Sequence, residues 1–159
     1  MNKALYWTFL IFFITHIPIT ICLDSQALLG LYYPAMLRDV YSWYATSFHD
    51  ELMANPPLWL LSFIFLEIFT QLPFFFVASY AFIFKYNWIR IPSIAYGAHV
   101  ATTVVPILTS ILSSPNTSIN EKAVLFSFYF PYLFIPSILA IYMIRNEDPF
   151  NSKVPKKKN

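Results

Sequence analysis

The sequence predicts an all-α membrane protein: a four-transmembrane-helix bundle with short interfacial helices between the first and second spans. Three observations carry that prediction. Four apolar runs, roughly 5–23, 58–84, 91–113 and 122–144, are each close to the roughly 20 residues that a helix needs to cross a bilayer. Only 11% of the 159 residues are charged, against about 25% in a soluble domain. The runs are continuous rather than alternating, which favours helices over barrel strands. Residues 1–150 read as one membrane domain and 151–159 as a basic tail.

The first run opens after Lys3 and contains Thr15-His16-Ile17-Pro18. His16 and Pro18 interrupt it, and no small-residue cleavage site follows, so it reads as a span rather than a secretory signal. Residues 25–57 carry Tyr32, Tyr33, Tyr41, Trp43, Tyr44 and Phe48. That aromatic density suits short helices lying over the mouth of a bundle. The second run holds Glu67 and Gln71, the third His99, Thr102 and Thr103, and the fourth Pro131, Tyr132 and Pro136. With only two glycines in the chain, a glycine-driven small-xxx-small packing face is not expected. Proline is abundant instead, at twelve residues. Pro18, Pro73, Pro92, Pro106, Pro131 and Pro136 fall in or at the edges of spans, where each interior proline frees a carbonyl and bends its helix. Bent helices either open a central cavity or are mere packing irregularities.

Charge orients the bundle. Lys3, Lys85, Arg90, Arg145, Lys153, Lys156, Lys157 and Lys158 fall on one side of a four-span hairpin, and only Arg38 and Lys122 on the other. The positive-inside rule then places both termini in the cytosol and the 25–57 and 114–121 loops in the lumen. Asn116-Thr117-Ser118 is a glycosylation sequon in such a loop, expected to stay unmodified so near the membrane. The terminal Lys156-Lys157-Lys158 run reads as flanking charge or lipid contact, and Lys156 with Lys157 also resembles a dilysine retrieval signal of the endoplasmic reticulum.

Glu67 carries most of the chemistry. It lies about ten residues into its span, so roughly 15 Å deep at about 1.5 Å per residue. A carboxylate there costs on the order of 2.5–3.5 kcal/mol, so Glu67 must face a cavity, hold a proton or find a partner. Asp24, at the end of the first span, is the candidate partner. Two acids in one low-dielectric pocket cannot both ionise freely, and such a pair suits a cationic amine. Gln71 shares a face with Glu67, and Phe63, Ile64 and Phe74 lie near it. A few polar groups in an aromatic pocket read as a site for a large apolar molecule with one polar atom. His16 is two turns from Asp24 and either orients it, shuttles a proton or makes an ordinary interhelical hydrogen bond. The histidines are too scattered for a metal site, and the lone Cys22 excludes an internal disulfide. The sequence contains no phosphate-binding loop, nucleophile elbow or H-E-x-x-H motif, and no cofactor or nucleic-acid partner is implied.

These motifs resemble one family. His16-Ile17-Pro18-Ile19-Thr20 followed by Asp24, Asn55-Pro56-Pro57-Leu58-Trp59 followed by Glu67, and Gln71-Leu72-Pro73-Phe74-Phe75 are similar to the sigma-2-receptor branch of the EXPERA group. Trp88-Ile89-Arg90, Tyr96, His99, Thr102-Thr103, Pro131-Tyr132-Leu133 and the lysine tail extend the match to the end of the chain. The loop between the third and fourth spans is shorter than in vertebrate members. The resemblance implies a four-helix fold, commonly homodimeric, in the endoplasmic-reticulum membrane, with the nuclear envelope, plasma membrane or lysosomal membrane as further locations. It implies binding of sterols or related lipids and of cationic amphiphilic small molecules, a role in cholesterol homeostasis, and cholesterol-transport proteins as partners. Asp24 and Glu67 match the two acids around the ligand. Asp50, Tyr96, Thr103 and Tyr132 match pocket or pocket-supporting positions, as do Phe48, Met53 and Gln71.

The group also includes the emopamil-binding sterol isomerase, which looks to use a His one turn before the second-span Glu and a third-span carboxylate. Phe63 stands at the first position, and the third span has neither Asp nor Glu. The expectation is therefore a binding protein and not an enzyme. A Δ8–Δ7 sterol isomerase and a small amine- or proton-coupled lipid transporter are the alternatives.

Overall fold

The computed structural model describes residues 1–150; the lysine tail, including Lys156 and Lys157, lies outside the described residues. Among these residues the chain is helical with no strand. Helix α1 (Lys3–Ile19) begins at Asn2, whose side chain accepts the Leu5 N–H at 2.8 Å. It runs through a π-helical turn, Thr20–Asp24, into the short α2 (Gln26–Leu29). Two interfacial helices follow, α3 (Ala35–Ser47) and α4 (Glu51–Ala54). Helix α5 (Leu58–Leu66), a second π-helical turn at Glu67–Gln71 and α6 (Leu72–Ile83) form one rod. Helices α7 (Arg90–Ser113) and α8 (Ile119–Arg145) complete the bundle. Four segments are long and apolar enough to cross a membrane: Lys3–Tyr32, Leu58–Ile83, Asn87–Ser113 and Ile119–Arg145. This is the four-span helical architecture expected from the apolar runs.

The spans are apolar on every side, as lipid-embedded helices are. Their outward faces carry Trp7, Ile11, Phe69, Phe76 and Ile141. The inward faces meet in an aromatic core. Phe13 and Phe82 are fully buried, with ring centres 5.5 Å apart, and Phe13 also meets the Tyr96 ring at 5.7 Å. That cluster joins α1, α6 and α7 and forms the floor beneath the cavity.

One end of the bundle gathers the N-terminus, the last of the described residues and several cations. The Met1 ammonium donates to the Pro149 carbonyl at 2.8 Å. Lys85 lies over the Tyr6 ring, and Arg90 donates to the Met143 carbonyl at 2.8 Å in the last turn of α8. A cation on the unpaired carbonyls of a helix end satisfies both groups. At the opposite end, α8 opens with a capping box: the Ser118 N–H donates to Glu121 at 2.8 Å, and the Ser118 hydroxyl accepts the Glu121 N–H at 3.4 Å.

Helices α7 and α8 are in closer contact than the glycine count led us to expect. Gly97 faces the backbone of α8: a Cβ built there would lie 2.5 Å from the Pro136 carbonyl oxygen and 2.7 Å from the Ala140 Cβ. Ser93, one turn earlier on α7, is also fully buried. Two small residues four apart therefore bring the helices together, and a single well-placed glycine is enough for such a face.

This contact yields a paired prediction. Gly97→Ala forces α7 and α8 apart and should cost about 1–3 kcal/mol, the usual range for overpacking. Gly30→Ala, where nothing lies within 4 Å of the new methyl, should stay within about 0.5 kcal/mol of wild type. Thermal unfolding in detergent, followed by loss of the size-exclusion peak, measures both.

Candidate functional site

The two π-helical turns make the site. In the first, the Ser25 N–H reaches back five residues to the Thr20 carbonyl at 3.1 Å. In the second, the Leu72 N–H bonds the Glu67 carbonyl, again five residues back. Pro18 sits two residues before the first turn and Pro73 two after the second. Each proline lacks the N–H that would close an ordinary α-helical turn, and the wider turn nearby accommodates the displaced carbonyls. The π turns pack against each other, so the residues at their ends converge. Those residues are Thr20, Asp24 and Glu67.

Thr20 is fully buried and donates its hydroxyl to Glu67 Oε1 at 2.7 Å. The Asp24 carboxyl lies within hydrogen-bonding reach of both Glu67 and Thr20. Asp24 and Glu67 keep part of their surface accessible, and both line one cavity of about 520 Å³. The two acids expected to form a pair are brought together, and they face the interior rather than lipid.

The cavity wall is chiefly apolar and aromatic. Phe12, His16, Ile19 and Leu23 come from the first span; Glu67 and Gln71 come from the second; Tyr96, Val100, Val104 and Ile107 come from α7; and Phe128, Tyr129 and Tyr132 come from α8. The roof is Tyr41, Trp43, Tyr44, Phe48 and Met53, so the interfacial helices do lie over the mouth. Of the residues singled out in the sequence, Asp24, Glu67, Gln71, His16, Phe48, Met53, Tyr96 and Tyr132 stand on this wall.

Three others do not. Phe63 packs edge-to-face with Trp59, with ring centres 5.7 Å apart. Thr103 donates to the Val100 carbonyl of its own helix at 3.0 Å. Asp50 is 1% exposed and acts behind the wall: Oδ1 caps α4 by accepting the Met53 N–H at 3.1 Å, and Oδ2 accepts the Tyr129 hydroxyl at 2.7 Å and the Tyr44 hydroxyl at 3.3 Å. One carboxylate thus ties α3, α4 and α8 into a single roof.

The roof phenols stay protonated through the physiological range. Burial, then the nearby Asp50 and Asp24 carboxyls, push the Tyr41 hydroxyl up to about 12. Burial and Asp50 raise Tyr44 as well. Both therefore remain donors, and Tyr41 uses its proton on the Met53 carbonyl at 2.7 Å. Outside the roof, His49 has a left-handed backbone, φ 50°, and pairs with Glu121 at 2.9 Å.

His16 does not orient Asp24. Its Nδ1 donates to the Phe12 carbonyl at 2.9 Å, one turn back on its own helix. Sequence reading placed the segment of Tyr41 and Tyr44 over the mouth without assigning them to the wall, and it missed the α8 residues Phe128 and Tyr129. An aromatic residue on a lipid-facing stripe and one on a cavity wall carry the same sequence signal.

The fold and site define a class: four-span helical membrane proteins that hold an acid pair in a roofed aromatic cavity. The EXPERA family (EXPanded EBP superfamily) matches residues 36–143, and the chain belongs to that family. It is 46% identical over 153 residues to Sigma intracellular receptor 2 of Xenopus tropicalis, covering 89% of each chain. It is 41% identical over 159 residues to the human protein of that name, covering 91% of this chain and 90% of the relative. A more distant relative is Efficient mitochondria targeting-associated protein 19 of Saccharomyces cerevisiae, 28% identical over 153 residues, 80% of this chain and 90% of that one.

Thr20 supplies the prediction here. Thr20→Val keeps the shape and removes the hydroxyl that Glu67 uses, leaving a buried carboxyl oxygen unsatisfied. The expected destabilisation is about 1–3 kcal/mol. Thr20→Ser keeps the hydroxyl and should recover most of that loss. The two thermal midpoints, compared in one detergent, decide it.

Proposed function

We propose that this protein is an intracellular receptor of the sigma-2 type that holds a sterol or related lipid in its cavity and takes cationic amphiphilic molecules at the same place. The observation that carries the reading is the Asp24–Glu67 pair inside a cavity of about 520 Å³ whose remaining wall is mostly apolar. That volume lies within the roughly 300–1,000 Å³ of small-molecule sites, and one polar pole in an apolar wall is how such sites orient a ligand. An ammonium entering the cavity meets a carboxylate in a desolvated setting, where the attraction is strong. Asp24, nearer the roof, is the direct partner; Glu67, deeper and held by Thr20, orients it. The relatives named as receptors support the same reading.

The reading assigns no reaction to the cavity. A double-bond shift in a sterol ring needs one group to add a proton and another to remove a different one. Phe63 stands one turn before Glu67, and α7 contributes Tyr96, Val100, Val104 and Ile107 to the wall but no acid. The protein's place, on this reading, is the endoplasmic-reticulum membrane, with both termini cytosolic, a homodimeric state and a role in cholesterol homeostasis alongside cholesterol-transport proteins. The meeting of Met1 with Pro149 supports the shared side of the termini, and the Lys/Arg excess at that end supports its cytosolic side.

Binding of one cationic amphiphile and one neutral sterol to Asp24→Asn and Glu67→Gln tests the reading. Removing one member of a buried charge pair costs about 3–5 kcal/mol, so the amine should lose on the order of a hundredfold or more in affinity. Asp24→Asn should suffer the larger loss, and the sterol should lose far less in either variant. Amine affinities within about threefold of wild type in both folded variants, roughly 0.65 kcal/mol, would remove the pair from the site.

A further inference from the structure

The cavity wall contains a second polar feature beside the acid pair. His16 is 6% exposed. Its ring is fixed on several sides: ring centres lie 4.0 Å from Phe12, 4.6 Å from Tyr132 and 5.2 Å from Phe75. Its Nδ1 faces a backbone carbonyl, the Phe12 oxygen at 2.9 Å. A carbonyl only accepts, so the ring proton sits on Nδ1 and Nε2 is a bare acceptor. Among the described residues Nε2 has no hydrogen-bond partner. Neither has the phenol of Tyr132, whose ring stands edge-on to the imidazole and which lines the same cavity.

We propose that His16 Nε2 and the Tyr132 hydroxyl together form an alcohol clamp, which receives the hydroxyl of a neutral lipid inside the cavity. The chemistry is complementary. A ligand hydroxyl donates its proton to Nε2 and accepts the proton of Tyr132. An ether has an oxygen but no proton, so it can satisfy only the phenol. A hydrocarbon satisfies neither group. A polar group that faces an apolar cavity without a partner is costly, and the molecule that supplies the partner gains selectivity from it. The inference rests on the proposed reading that the cavity holds a sterol-like lipid. It adds that the neutral ligand is recognised through His16 and Tyr132 and not through Asp24 and Glu67, which are left for cations. The aromatic packing of His16 keeps the acceptor in place before the ligand arrives, so little ordering is lost on binding.

The probes are cholesterol and its 3-methyl ether, with affinities compared as a ratio in each folded protein. In wild type the alcohol should bind about tenfold more tightly than the ether, the effect of one well-placed hydrogen bond. The ratio should fall to about one in His16→Phe, which keeps a ring in the aromatic packing. In Tyr132→Phe, a variant that loses only an oxygen atom, both sterols lose the phenol's hydrogen bond, so both affinities should fall about tenfold while the ratio persists. In parallel, ¹⁵N NMR of histidine-labelled wild type reads Nε2 directly, since the chain has only three histidines. The unprotonated nitrogen of His16 should shift on adding the alcohol and stay still on adding the ether. A wild-type ratio near one, an unchanged ratio in His16→Phe, unchanged affinities in Tyr132→Phe or an unmoved Nε2 resonance with the alcohol bound overturns the clamp and leaves the proposed receptor reading standing. Wild type that binds neither sterol contradicts that reading as well.

Discussion

Two carboxyl groups deep in an apolar bundle must satisfy each other or be satisfied by something else, and the rest of the site follows from that requirement. Glu67 lies near the middle of its span, where an unpaired acid is costly. The fold answers with Thr20, which donates to Glu67 at 2.7 Å, and with Asp24, placed within reach of both. Neither partner lies at Glu67's own helical spacing. They come from α1's extension, and they reach Glu67 because both rods widen into π-helical turns at the same level. An ideal α-helix in either place would rotate one of the acids by about 100° per residue of register and turn it away from the other. The prolines that flank the turns are therefore part of the site, though neither touches the cavity.

A wide waist leaves space, and the structure covers it. Asp50 is the pin of that cover: one buried carboxylate takes a backbone N–H from α4 and two tyrosine hydroxyls, from α3 and α8. Such a fully engaged acid differs in kind from Asp24. Asp50 has its donors within the protein and holds a roof; Asp24 faces a cavity and has capacity left. The opposite end is closed by unrelated means, with Arg90 on the last carbonyls of α8 and the Met1 ammonium on Pro149. Between these ends, Gly97 fixes the spacing of α7 and α8 and so the width of the cavity's back wall.

The four spans were legible because length and continuous hydropathy are strong signals, and Glu67 was legible because an acid inside such a run has few structural uses. Its pairing with Asp24 was legible from charge economy. The π-helical turns were not: a proline announces a disturbed helix without saying whether it kinks or widens. Phe63 keeps ordinary helical spacing to Glu67, whose N–H still bonds the Phe63 carbonyl, but its ring packs on Trp59 and not on the cavity wall. Thr103 follows an ordinary local rule for threonine, bonding back into its own helix. Gly97 was overlooked because a count of glycines does not say where one sits. The wall aromatics Phe128 and Tyr129 look like every other aromatic in a chain that is 20% aromatic, and only the three-dimensional arrangement separates those facing the cavity from those facing lipid.

The central claim is that one cavity serves both a neutral lipid and a cationic amphiphile, with room for one occupant at a time. Native mass spectrometry of the purified protein, released from detergent in the gas phase, tests it most directly. The account predicts that a sterol-class lipid added to the protein binds one per chain, and that a cationic amphiphile displaces it without forming a ternary species. A chain that carries both ligands at once, or a lipid that stays bound at saturating amphiphile, would contradict it.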